Sequence, residues 1–337
     1  MLIWPERMGW TQHIGALAVL DGEPLLDANG DLRIEQLRDH IERRLHLVPR
    51  FRQVLVWPRL GLGWPLWADA PAFDISQHVN VFRVAAPGED AEVLLACEEL
   101  RHRPLQPTRP LWEMWFLTGL PNARVGLFIR LHHAIADGVA GVAALSAFVD
   151  VLPAPPAMAA PPWTPSPMPS THALWVDNRR RRVQEFERTV SALVRPISTA
   201  RHLRQAWPGV RELFAEGKAP RTSFNQRIGS DRRLSVIRSP LDGAKNVAHA
   251  HEATINDVLL TTVAGGYREL LRGRGDRVDD LVLRAFVPVS LHHEEAGRAQ
   301  GNLDAGMVVP LPIGENDDVT RSSGLPAVSL APVISTS

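Results

Sequence analysis

Arg124-Val125-Gly126-Leu127-Phe128-Ile129-Arg130-Leu131-His132-His133-Ala134-Ile135-Ala136-Asp137-Gly138 is the stretch that decides the fold. Val125, Leu127, Ile129 and Leu131 recur at every second position, with Phe128 and Arg130 between them. A period of two belongs to a β-strand, so the spacing predicts a strand over 124–132 with one strongly apolar face. That strand delivers two histidines to its end. An acid, Asp137, follows His133 by four residues, and Gly138 permits a tight turn. Imidazole suits general-base work because its unperturbed pKa is about 6.5. Adjacent strand residues point oppositely, so one histidine of the pair faces a given cleft and the other locks the loop. On the residues alone three readings stand: a catalytic base, a structural histidine pair, or a metal site. A metal would want a third ligand at defined spacing, and none is evident.

Outward from this stretch the chain mixes strands and helices. His13–Leu20 is a short apolar run that reads as a buried strand. Ile34, Leu37, Ile41 and Leu45 lie at helical spacing, with charges on the opposite face, and predict a helix over 32–45. A second helix is predicted over 91–101, and a small-residue helix over 139–149. Residues 153–169 hold eight prolines, which favour stiff, extended chain. They mark a linker or a strap and divide the chain into a first domain at 1–152, a linker at 153–171 and a second domain at 172–337. Further on, Thr254 and Asp257 form a helix start of the Ser/Thr-x-x-acid type. Ile255, Val258, Leu259, Val263, Tyr267, Leu270 and Leu271 continue at helical spacing. Strands are predicted over 281–291 and 306–311.

Composition narrows the class. A chain of 337 residues with 45% hydrophobic content fits about two globular domains, at roughly 100–200 residues each. Lys+Arg and Asp+Glu both number 37, so no net field attracts nucleic acid. Only Lys218 and Lys245 are lysines, so arginine supplies nearly all the positive charge. Cys97 is the sole cysteine, which rules out an intramolecular disulfide and makes a reducing compartment the expectation. No signal peptide and no membrane-length apolar run is seen.

The arginines cluster. Nine lie between Asn178 and Arg211, against Glu185 and Glu187. Arg179, Arg180, Arg181 and Arg182 are consecutive, and two readings stand for them: a solvated helix face, or contact with anionic headgroups or a phosphorylated substrate. Leu174, Trp175, Val183, Phe186, Val190, Leu193, Val194 and Ile197 are expected to give this helix a buried side. No aromatic stacking motif accompanies the arginines, which argues against nucleic acid.

His132-His133-Ala134-Ile135-Ala136-Asp137-Gly138 resembles the HHxxxDG motif of acyltransferases with the chloramphenicol-acetyltransferase-like fold. Four further blocks are similar to one branch, the bacterial bifunctional wax ester synthase/diacylglycerol acyltransferases. They are His13-Ile14-Gly15-Ala16-Leu17-Ala18-Val19, Arg109-Pro110-Leu111-Trp112-Glu113, Ala253-Thr254-Ile255-Asn256-Asp257-Val258, and Val287-Pro288-Val289-Ser290-Leu291 followed by Gly301-Asn302. HHxxxDG alone is moderately specific; five blocks in family order are strongly so.

The resemblance implies an α/β (α+β) two-domain sandwich and an O-acyltransferase that moves a long-chain acyl group from acyl-CoA to diacylglycerol or a long-chain alcohol. It implies His133 as general base, His132 as the residue that orients the loop, and Asp137 as a structural acid paired with an arginine. Asn256, at a helix N-terminus, is an oxyanion-donor candidate and equally a helix-capping candidate. No cofactor and no metal are implied, with acyl-CoA as co-substrate. The expected setting is cytoplasmic, as a monomer, peripheral on the inner face of the plasma membrane or on lipid bodies. The likeness fades after Gly314, which gives the expectation of a second domain truncated at its C-terminus. The alternatives are an inactive remnant or lipid-binding module, and a related acyltransferase with another alcohol acceptor.

Overall fold

The computed structural model describes residues 13–57, 65–135, 146–149, 161–194, 220–226, 229, 231–290 and 304–315. The predicted helix over 139–149, Asp137, Gly138, Gly301 and Asn302 lie wholly or largely outside them. The chain forms two compact units. The first holds residues 1–202, 231–235 and 292–303; the second holds 203–230, 236–291 and 304–337.

The first unit is built on a four-stranded sheet. Its strands are β1 (His13–Asp21), β4 (Val79–Arg83), β5 (Trp112–Thr118) and β6 (Arg124–His132), in the order β1-β6-β5-β4. β6 is antiparallel to both β1 and β5, and β4 is parallel to β5. A parallel pair needs a crossover connection, and helix α2 (Asp90–His102) supplies it. A reciprocal cap between Glu89 and Glu92 starts that helix. Helix α1 (Ile34–Arg44) and the short ribbon of β2 (Gln53–Val56) with β3 (Leu66–Asp69) complete the unit's framework. Residues 161–170, which carry five of the eight prolines, run without helix or strand. Ser166 N–H donates to Asp69 at 3.0 Å, and Arg52 lies over the Trp163 ring.

Both faces of the sheet are covered. Val125, Ile129 and Leu131 of β6 join Trp112, Met114 and Phe116 of β5, Ile41 of α1 and Phe51 in one core. Phe128 of β6 and Leu117 of β5 join Val93, Ala96, Cys97 and Leu100 of α2 in another. The sequence pattern shows one strongly apolar face on β6; in the fold the second face is buried too, because α2 lies on it. β1 corrects the expectation of a buried strand. It is the sheet's terminal strand among the described residues, and its side chains are half-buried or exposed.

The second unit contains α4 (Leu241–Ala250), α5 (Ile255–Gly273) and the antiparallel pair β7 (Val282–Ser290) and β8 (Asp304–Pro312). Ala264 and Leu271 of α5 pack with Val309, Leu311 and Ile313, which are fully or almost fully buried. The apolar residues that mark α5 in the sequence are divided between its two sides. Ile255, Leu259, Val263, Tyr267 and Leu270 are exposed, whereas the packed side also carries Thr261 and Arg268. Arg268 donates to the carbonyls of Ile313 at 2.7 Å and Gly314 at 3.0 Å, which compensates the burial of its charge.

Candidate active site

β6 ends at His132, whose Cα partner on β1 is His13. The chain then reverses. Ile135 N–H donates to the His132 carbonyl at 2.9 Å, and Ala134 N–H donates to His132 Nδ1 at 2.9 Å. An imidazole nitrogen that accepts carries no proton, so the neutral His132 ring bears its proton on Nε2. His132 N–H donates to Leu111 O at 2.9 Å. His132 is therefore tied to β5 and to the turn by three hydrogen bonds, and its side chain is buried. Ile135 is buried in the α1-side core. Between these two anchors, at the second position of the turn, His133 is half-buried.

β6 and β5 carry a charge pair of a buried Arg130 and a half-buried Glu113. Glu113 and Arg130 are Cα partners. Arg130 is 1% exposed, and its Nη2 lies 2.8 Å from Glu113 Oε2. Its Nε also donates to Glu113, and its Nη1 donates to the carbonyls of Arg101 at 3.3 Å and of Arg103 at the end of α2. Trp115 Nε1–H donates to the same Glu113 oxygen at 3.0 Å. A buried guanidinium tolerates this setting only when its donors are taken up, and Arg130 satisfies that condition. The pair welds α2 to the strand that carries the histidines.

Sequence reading missed three features here. His13 sits beside the motif, its ring 5.9 Å from that of His132 and edge-on to it. The Glu113–Arg130 pair was open to detection as two opposite charges on neighbouring strands. His78 gave no local signal. It is buried between the rings of Phe73 and Trp112, and its Nδ1–H donates to the Trp112 carbonyl at 2.8 Å. Burial pushes its pKa below the ordinary histidine value, against a smaller upward pull from that carbonyl. Trp112 itself is fully buried and donates to Phe51 O at 2.8 Å, so it is a packing residue.

The other sequence candidates lie elsewhere. Asn256 is in the second unit, exposed on the first turn of α5. The cap of that helix is made by Thr254 and Asp257, each accepting from the other's backbone N–H. Arg179 to Arg182 lie on helix α3 (Thr171–Val194) of the first unit. α3 corrects the expected buried side: Leu174 is buried, but Trp175, Val183, Phe186 and Val190 are exposed. Among the described residues no group of three potential metal ligands is found. No helix among them is long and apolar enough to cross a membrane.

Residues 1–259 match the family model of the wax ester synthase/diacylglycerol acyltransferase catalytic domain. A Mycobacterium tuberculosis H37Rv protein named as a diacylglycerol O-acyltransferase is 34% identical over 289 residues, which are 83% of this chain and 59% of that protein. A second from the same strain is 30% identical over 329 residues, 95% of this chain and 67% of its own length. The chain thus spans about 59% of the length of the first of these relatives. Among solved structures, the wax ester synthase/diacylglycerol acyltransferase from Marinobacter aquaeolei VT8 superposes with a TM-score of 0.63 at 22% identity, covering 96% of this chain and 68% of that one. The first condensation domain of the calcium-dependent antibiotic synthetase superposes with a TM-score of 0.57 at 18% identity, covering 96% and 71%. These likenesses establish the chloramphenicol-acetyltransferase-like α/β fold. On the span and order of the family match, the chain belongs to the wax ester synthase/diacylglycerol acyltransferase family.

Proposed function

We propose that this chain serves O-acyl transfer from acyl-CoA to diacylglycerol or to a long-chain alcohol, yielding triacylglycerol or wax ester, with His133 as general base. The observation that carries the reading is the β6 corner. It holds His133, half-buried, between two buried anchors, His132 and Ile135, as a positioned proton acceptor requires. An unprotonated His133 nitrogen takes the proton of the acceptor hydroxyl. The oxygen forms a bond to the thioester carbonyl carbon, and the negative charge moves to the carbonyl oxygen. Collapse breaks the carbon–sulfur bond, and the imidazolium returns its proton to the departing CoA thiolate. No acyl-enzyme is formed, in keeping with the lack of a Gly-x-Ser-x-Gly elbow in the sequence.

The other residues take supporting roles. His132 orients the turn through Nδ1. For Asp137, next to Gly138 in the motif, the role is that of a structural acid paired with an arginine. Asn256 keeps the part that the family resemblance implies, that of oxyanion-donor candidate. No cofactor enters this scheme. The protein acts as a cytoplasmic monomer at a lipid surface, where its acceptors dissolve.

Labelled palmitoyl-CoA supplied with diacylglycerol or hexadecanol tests the scheme. The expected result is labelled triacylglycerol or wax ester, with His133→Ala lowering kcat by about 10²–10⁴-fold at unchanged far-UV circular dichroism. Turnover that survives His133→Ala removes His133 as the base.

A further inference from the structure

Helix α3 (Thr171–Val194) presents a face that is expensive to leave in water. Trp175 is 44% exposed, Val183 48%, Phe186 70% and Val190 38%. These residues follow one another at intervals of three, four or eight, so they share one side of the helix. Arg179 and Arg182 fall on that same side, at the same spacing. The Arg179 guanidinium lies over the Trp175 ring at 5.6 Å. A depression of about 360 Å³ runs along this side, lined by Trp175, Asn178, Arg179, Arg182, Val183 and Phe186. Among the described residues that line it, the charged ones are Arg179 and Arg182. The four consecutive arginines therefore separate by direction. Arg181 sits a turn beyond Asp177 and pairs with it at 2.8 Å, on a different side from Phe186. Among the described side chains of α3 the buried ones are Leu174 and Asn178, one turn apart, and Asn178 borders the depression.

We propose that this face of α3 is a docking surface for an anionic phospholipid bilayer. Tryptophan, phenylalanine and valine interleaved with arginine match the interfacial zone, where apolar groups enter the acyl boundary and guanidinium groups meet lipid phosphates. The charge of the depression is complementary to lipid phosphate, since Arg179 and Arg182 are the charged residues among its described lining. α3 is too polar to cross the bilayer, so it lies in the surface plane. The depression brings two guanidinium groups, Arg179 and Arg182, together with the apolar side chains of Trp175, Val183 and Phe186, a lining suited to a phosphate and the start of an acyl chain. A nucleic acid would satisfy the arginines but would leave Phe186, Val183 and Val190 wet, which favours lipid.

Co-sedimentation of the full chain with vesicles of phosphatidylcholine, with and without phosphatidylglycerol, tests the proposal. Binding is expected only with phosphatidylglycerol present, and it weakens as salt is raised. Arg179→Gln and Arg182→Gln each weaken it about fivefold. Phe186→Ser weakens it about tenfold, and the circular dichroism of each variant is unchanged. His133→Ala binds as the parent does, so a failure of the acyl-transfer scheme leaves this result intact. Equal sedimentation with neutral vesicles, no sedimentation with anionic ones, parent-like binding by Phe186→Ser, or tighter binding to single-stranded RNA would each overturn it.

Discussion

β6 and β7 are strands of equal length and similar apolar content that end in opposite states. Every residue of β6 after Arg124 is buried except Leu127, which is half-buried. On β7, Val282 is 45% exposed and Phe286 70%, while Leu283, Ala285 and Val287 are half-buried. The difference lies in what covers each sheet. β6 has the α1-side core on one face and α2 on the other. Among the described residues β7 and β8 have a core on one face only, formed with α5. A strand's own pattern sets which residues share a face, and the number of packed layers sets how many faces are dry.

Three measurements can break or sharpen that contrast. Trp112→Ala is expected to have the largest effect. It removes a fully buried ring and its hydrogen bond to Phe51 O, at a cost of about 3–5 kcal/mol in chemical denaturation. A cost below about 1 kcal/mol would mean that the first unit repacks freely and that two-layer cover matters little.

The second measurement is pH dependence. Burial holds the folded-state pKa of His78 below its ordinary value of 6.5. In the unfolded chain His78 therefore takes up its proton first as pH falls. Above pH 6.5 both states carry a neutral ring and His78 sets no slope. From there down to its folded pKa, the unfolded state binds more protons, so stability falls with acidification. Denaturation midpoints at stepped pH should show this loss, and His78→Gln should flatten it. A parent slope retained by His78→Gln would assign the effect to another group.

Phe286→Ala should have the smallest effect. The ring is mostly exposed, so stability should shift by no more than about 0.5 kcal/mol. A loss as large as that of Trp112→Ala would show that β7 is covered on both faces in solution and would erase the contrast.

Much of the fold was legible in the residues. The period of two over 124–132 coincides with β6, and the predicted helices over 32–45 and 91–101 contain or fall within α1 and α2. The Thr254–Asp257 start is a reciprocal cap. These features depend on neighbours along the chain, which a sequence displays directly. Two readings failed, on β1 and on α3, and both failed on burial. An apolar stripe identifies a face but not what lies opposite it, so Trp175 and Phe186 read as core and stand exposed. At the site, the histidine pair was visible as a motif. His13, His78 and the Glu113–Arg130 pair were not visible as members of its surroundings, because 119, 34 and 17 residues separate the partners they meet.

By itself the sequence determined the strand with two histidines at its end, the helices beside it, and the family to which such blocks in such order belong. The tertiary structure alone decided how deeply each histidine is buried and which partners hold it. His132 is fixed by hydrogen bonds to Leu111 and Ala134 and by burial, whereas His133 falls at the second position of the turn and is half-buried. Adjacent residues of one type are alike in sequence and in intrinsic chemistry. They become different only when folding brings distant donors, acceptors and apolar surface to one of them and leaves the other partly open.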